Sequence, residues 1–294
     1  MNQYILSCCS TCDITAQHLK DINVEYTPFH FFIDGKEYKD DLGQTIAYED
    51  FYRMMEEGAD TRTSQINVSE YVDYFTPFLE SGNDVLHVSL SSGLSGTSNS
   101  AMNAARILKE RFPEREIIIV DSLAAASGYG LMMDKAASLR DEGLTIYELR
   151  DWLENNKLKL HHWFFSTDLK YYVKGGRISK TSGVVGTILG ICPLLDMDAN
   201  GRLTPREKIR TKKKVIRQIV KMMEEHAQNG ADYSEKVYLC HSACLDDAEA
   251  VANLVEEKFG KINGKPLINY IGTTIGSHTG PGTVALFFWG DERK

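Results

Sequence analysis

The residues best suited to chemistry sit in short polar clusters at the junctions between apolar runs. Ser91-Ser92-Gly93-Leu94-Ser95-Gly96-Thr97 follows the apolar run 85–90 and leads into 98–112, where apolar residues recur at helical spacing. Two glycines let backbone N–H groups approach a ligand closely. Ser95 or Thr97 can donate a hydroxyl beside the positive end of the new helix dipole, so the segment reads as an anion cradle. The same residues also make an ordinary helix cap. Thr63-Ser64-Gln65 sets two hydroxyls and an amide in a row ahead of a helical pattern over 68–79, where capping again competes with ligand contact. The stretch 276–282 places His278 amid three glycines and a proline, which predicts a rigid loop presenting an imidazole to a cleft. Gly175-Gly176-Arg177 offers a fixed guanidinium for carboxylate or phosphate. The basic run Lys208, Arg210, Lys212, Lys213 and Lys214 is either a solvated helix start or a patch facing a partner or a phosphate.

Two other chemistries are open to these residue types. Ser95 and His278, oriented by Asp121 or Asp13, could form an esterase or thioesterase site, although no Gly-x-Ser-x-Gly elbow is present. Cys9-Ser10-Thr11-Cys12, between a strand and a helix, has the spacing of a redox dithiol. With Cys240-His241-Ser242-Ala243-Cys244 it could also supply a zinc set. The flanks lack the Trp and Pro context of thioredoxin-like sites.

The elements that must position these clusters alternate in type. Strand-like runs at 4–7, 84–90 and 116–120 are each followed by a helical pattern, at 14–22, 98–112 and 124–142. This βαβ rhythm predicts a largely parallel sheet in the first half. Between its first two units, 26–60 holds an Asp34-Gly35 turn flanked by short β-like runs, a hairpin flap, with a helix after it at 48–57. The second half, from about 155, reads as mixed α/β. It has a helix-like patch at 152–160, a glycine-hinged turn at 171–179 and a hairpin turning on Asn200-Gly201. Helices follow at 212–228 and 246–259, and strands at 163–166, 236–240, 268–271 and 284–289. The expected domains are therefore 1–155 and 156–294.

Composition narrows the function. The 294 residues carry 33 Lys plus Arg against 41 Asp plus Glu, a formal charge of −8, which argues against broad binding to nucleic acid or anionic membranes. An anionic ligand must be held by a local site. The first fifteen residues lack a basic n-region, and the longest weakly polar run, 183–195, is well short of the ~20 residues of a spanning helix. A cytoplasmic protein with six reduced cysteines is the expectation.

Taken in order, 63–65, 91–97, Val120-Asp121-Ser122 with Gly128-Tyr129-Gly130, 174–179, Lys208-Ile209-Arg210 and 276–282 resemble the DegV family over almost the whole chain. The resemblance implies a two-domain α/β fold that holds one long-chain fatty acid in an interior tunnel. It also implies an acyl-carrying subunit that presents the carboxylate to a separate fatty acid kinase, which makes acyl phosphate for phospholipid synthesis. No catalytic residue, metal or cofactor beyond the bound acid is implied. Carried over by position, carboxylate contacts fall on Thr63, on Ser95 with the Gly96 backbone, and on His278, with Ser64 and Thr279 beside them. Arg177 and Arg210 take kinase-facing or phosphate-facing roles. The chain departs from the family pattern at Cys9, where an acid is usual, and at Ile66, where proline is usual.

The chemistry of such a ligand agrees with those residue types. A buried carboxylate needs several hydrogen bonds, while each buried methylene contributes about 0.8 kcal/mol, so the tail dominates affinity. Apolar candidates for the tunnel wall are Leu131, Met132, Met133, Phe164, Ile188, Leu189, Ile191, Leu194 and Leu195.

Overall fold

The computed structural model describes residues 4–179 and 190–294. In the first half the chain forms β1 (Tyr4–Cys9), α1 (Ala16–Asp21), β2 (Glu25–Thr27), β3 (His30–Ile33), β4 (Lys36–Lys39) and α2 (Tyr48–Glu56). It continues with β5 (Thr61–Ser64), α3 (Val68–Glu80), β6 (Asp84–Ser89), α4 (Thr97–Arg111), β7 (Ile117–Asp121), α5 (Ala126–Asp141) and α6 (Ile146–Asn156). The second half forms β8 (Leu160–Ser166), α7 (Lys170–Lys174), β9 (Ile191–Met197), β10 (Leu203–Arg210) and α8 (Lys212–His226). It ends with β11 (Tyr238–His241), α9 (Leu245–Lys258), β12 (Leu267–Tyr270), α10 (Thr273–Thr279) and β13 (Thr283–Trp289).

The βαβ rhythm becomes a four-stranded sheet in the order β2-β1-β6-β7, every pair parallel. Parallel strands are covered on both faces, and Leu6, Cys8, Val85, Leu86 and Val88 are accordingly buried. The second half forms a six-stranded mixed sheet, β10-β9-β8-β13-β11-β12, antiparallel except between β11 and β12. Helix α5 joins the two sheets. Eleven of its sixteen residues are buried, and it packs against β8, β11 and β13 as well as the turn after β1. This is the mixed α/β architecture that the sequence pattern predicts.

The flap is larger than a hairpin. β3 and β4 pair across Asp34-Gly35, but β5 adds a third strand on the other edge, aligning Thr63 with Phe31. Two glycine-rich stretches read as turns contain helix. α7 precedes the Gly175-Gly176 turn, and α10 carries His278 in its last turn rather than in a loop. Helices of five and seven residues are too short for periodicity to register. α10 is held instead by burial of Thr273, Thr274, Gly276, Ser277 and Thr279. The helix-like patch at 152–160 splits: α6 ends at Asn156 and Leu160 already begins β8. Among the described residues no helix is long and apolar enough to cross a membrane.

Candidate functional site

Four separate elements deliver polar groups to one place. Thr63 comes from β5, Ser95 and Gly96 from the loop between β6 and α4, Arg177 from the turn after α7, and His278 and Thr279 from α10. All six border a cavity of about 370 Å³, within the usual range for a small-molecule pocket. Its lining is mostly apolar, with Phe29, Leu90, Phe164, Tyr172, Ile271 and Phe287 and the small Ala125, Ala126 and Ala285, and the buried polar residues His162, Thr274 and Thr283 also border it. Phe29, Phe164, Tyr172 and Phe287 are buried, whereas Thr63, Ser95, Arg177 and His278 are half-buried and Gly96 is exposed. These five polar positions therefore lie nearer solvent than the aromatic part of the lining.

Hydrogen bonding among these positions has a direction. Arg177 donates from Nε and Nη2 to the Leu94 carbonyl at 3.2 and 2.9 Å, and from Nη1 to the Gly175 carbonyl at 2.6 Å. Its Nη1 also lies 3.4 Å from His278 Nδ1. A guanidinium only donates, so Nδ1 accepts and the ring hydrogen sits on Nε2, which donates to Thr63 Oγ1 at 2.7 Å. The Thr63 hydroxyl is then left to donate onward into the cavity. Ser95 Oγ accepts the Thr97 N–H at 3.3 Å and keeps its own hydrogen to donate beside Thr63. Burial, and secondarily the Arg177 charge, hold His278 down to about 3, so the ring is neutral at pH 7. Burial also lowers Arg177 from its ordinary value. Two neutral hydroxyls and a relay starting at a cation make a receptor for an anion.

Gly175 is required for this geometry. A Cβ there would collide with His278 Nδ1, the atom that faces Arg177.

Other residues singled out in the sequence lie elsewhere. Ser64, next to Thr63 in an alternating strand, is exposed and does not border the cavity. Arg210 is exposed at the end of β10, opposite Ile191. Of the wall candidates, Phe164 lines the cavity. Leu131, Met132, Met133, Leu194 and Leu195 are packed in the core and Ile191 is half-buried on β9, none of them bordering it, while Ile188 and Leu189 lie outside the described residues. Sequence reasoning missed the small residues Ala125, Ala126 and Ala285, together with His162 and Cys240. An isolated alanine or a buried imidazole carries no periodic signal.

The competing chemistries do not assemble. Both His278 nitrogens are engaged by Thr63 and Arg177, and no carboxylate borders the cavity among the described residues. Asp121 instead caps the Ser92 and Leu123 N–H groups, and Asp13 is buried beside Asp40. An imidazole held neutral down to about 3 is also mismatched as a general base at pH 7. The thiols of Cys8 and Cys12 approach to 3.8 Å, whereas Cys9 Sγ faces Tyr71 and His87. Burial pushes the Cys9 thiol up to about 11, the reverse of an activated thiolate. The cysteines form no metal-ligating group with His241 among the described residues.

Fold and cavity together define a two-domain α/β protein with a largely apolar cavity bordered on one side by hydroxyls, an imidazole and a guanidinium. The DegV family model, described as "Uncharacterised protein, DegV family", matches residues 9–291. A DegV domain-containing protein of Clostridium perfringens is 35% identical over the full length of both chains. A Thermus thermophilus structure described as fatty acid binding of a DegV family protein superposes with a TM-score of 0.86. It is 28% identical and covers 98% of this chain and 100% of its own. A stearic acid-binding protein of Eubacterium ventriosum gives a TM-score of 0.85 at 25% identity, covering 97% of each chain. The chain belongs to the DegV family.

Proposed function

We propose that this protein binds one long-chain fatty acid, with the tail in the apolar chamber and the carboxylate at the mouth on Thr63, Ser95, the Gly96 backbone and His278, beside Thr279. The observation that carries this reading is the single cavity bordered on one side by the Arg177–His278–Thr63 relay and elsewhere by Phe29, Phe164, Tyr172 and Phe287. Fatty acid binding by the solved relatives supports it. The protein is a carrier with no catalytic residue of its own. It presents the acid, between lobes 1–155 and 156–294, to a separate fatty acid kinase for acyl phosphate formation. Arg177, at the mouth, faces the transferred phosphate, and exposed Arg210 faces the kinase. Six free thiols suit a reducing, cytoplasmic setting.

Native mass spectrometry of protein purified from a bacterial host tests the reading. A bound long-chain fatty acid is the expected result. Its occupancy should fall in Thr63→Ala and in Ser95→Ala. A protein that purifies empty and takes up no added fatty acid sinks the proposal. So does turnover of p-nitrophenyl acyl esters that disappears in Ser95→Ala.

A further inference from the structure

The fatty acid site leaves unused a second cluster, on β8, the last turn of α8 and the segment after β13. His161 Nε2 lies 3.0 Å from Asp291 Oδ1, and His226 Nδ1 lies 3.1 Å from the same oxygen. One donor atom from each of the three residues falls within 4.8 Å of the other two. We propose that His161, His226 and Asp291 form a binding site for a divalent late first-row metal ion, zinc being the ion whose chemistry matches two imidazoles and a carboxylate.

Metal–donor bonds near 2.0–2.1 Å in a tetrahedron put donor atoms about 3.3 Å apart, and each imidazole nitrogen here lies 3.0 or 3.1 Å from Asp291 Oδ1. Asp291 only accepts here, through its carboxylate and, for His161 Nε2, also through its backbone carbonyl at 2.9 Å, so His161 Nε2 and His226 Nδ1 carry their ring hydrogens toward it. On binding, each hydrogen moves to the other nitrogen of its ring, and both imidazoles ligate in the neutral form without a net proton change.

The two rings are fixed in place beforehand. His161 and His226 stack at 5.0 Å with planes 20° apart. Phe288 packs against His161 at 5.1 Å and Trp163 against His226 at 5.9 Å. The segment bearing Asp291 approaches closely because residue 290 is glycine. A Cβ there would strike the His226 carbonyl and come within 2.9 Å of His161 Cδ2. The Asp291 N–H donates to that carbonyl at 3.0 Å, which locks the carboxylate beside the rings.

An ion can reach the site, because the Asp291 side chain is 60% exposed and the cluster opens on a cavity of about 220 Å³. Arg206, Arg293 and Lys294 border that cavity, and the two arginines are engaged. Arg206 pairs with Asp196 at 2.8 Å, and Arg293 donates to the carbonyls of Met197, Asp198, Leu123 and Lys157. Bound metal would clip together three segments far apart in sequence.

Zinc titration of the tag-free, chelator-stripped full chain against a chromophoric competitor tests this, with X-ray absorption on the loaded protein. One zinc per chain is expected, with nitrogen and oxygen donors at about 2.0–2.1 Å. Binding should weaken at least about tenfold in Asp291→Asn and in His226→Gln. Zinc should raise the melting midpoint of the wild type but not of either variant. Both substituted side chains are partly or largely exposed, so circular dichroism should show the fold intact. The proposal fails if no saturable binding occurs at micromolar zinc, if both variants bind as the wild type does, or if the shell is sulfur at about 2.3 Å.

Discussion

At the scale of single residues, each donor in the chain Arg177, His278, Thr63 fixes the orientation of the next, and in the proposed function the last hydroxyl meets the carboxylate. A hydrogen bond to a charged group is worth roughly 1.5–3 kcal/mol, so Thr63→Val should weaken fatty acid binding about tenfold to a hundredfold. Displacement of a fluorescent fatty acid measures this, and Ser64→Ala, altering an exposed hydroxyl, should leave the affinity unchanged. The same burial gives a pH signature. His278 is held near 3 when folded and takes its ordinary value near 6.5 when unfolded, so the unfolded chain binds the extra proton between those limits. Stability therefore falls as pH drops through that window. Urea midpoints at pH 7 and pH 5 should show the wild type losing roughly 2 kcal/mol more than His278→Gln. A sequence can name Thr63 and Ser64 as hydroxyls. The phase of a four-residue strand, set here by pairing Thr63 with Phe31 on β3, is a tertiary fact.

At the scale of elements, the long periodic segments were legible: the parallel βαβ units, the Asp34-Gly35 and Asn200-Gly201 turns, and the helices α3, α4, α8 and α9 stand where apolar spacing and turn chemistry put them. The pieces that aim the site were not, because α7 and α10 are too short to show periodicity and α10 is held by burial. Gly175 links the two. Its backbone is in the ordinary right-handed helical region, so alanine is conformationally acceptable and slightly stiffens the unfolded chain. Its side chain would displace His278. Gly175→Ala should therefore weaken fatty acid binding at least as much as Thr63→Val does, and lower the melting temperature only by what the lost His278 hydrogen bonds contribute. Unaltered affinity would show that the His278–Arg177 contact is dispensable. α10 also roofs a buried acid pair. Asp40 accepts the Thr274 N–H, and Asp13 is pushed well above the usual carboxylate range, first by burial and then by Asp40. A raised carboxyl stabilises the fold least at high pH, since stability is lost as pH climbs from the unfolded value through the folded one. Asp13 has a left-handed backbone that asparagine tolerates. Asp13→Asn should flatten the decline in melting temperature between pH 5 and pH 8, and a decline equal to the wild type's would exclude this role for Asp13.

At the scale of the whole molecule, the cavity exists because two sheets with different topologies are tied across it rather than packed flush. Ser91 Oγ donates to the Gly201 carbonyl at 2.8 Å, and Tyr52 donates to the Ile271 carbonyl at 2.7 Å. Arg293 reaches back from the C-terminal segment to Leu123. Sequence patterning foretold a parallel half and a mixed half, yet not that α5 would run between them or that alanines would leave the space. Those alanines set the chamber's length. Ala285 on β13 is buried and borders the cavity, so Ala285→Leu should fill part of it without touching the mouth. Each methylene that no longer fits forfeits about 0.8 kcal/mol, roughly a fourfold loss of affinity per excluded carbon. The variant should therefore bind an 18-carbon acid markedly less well while holding a 14-carbon acid with nearly unchanged affinity, and the lipid that co-purifies should shift to shorter chains. Mass spectrometry of extracted lipid reads the shift directly. An unchanged chain-length profile would mean that the tail runs elsewhere than along β13.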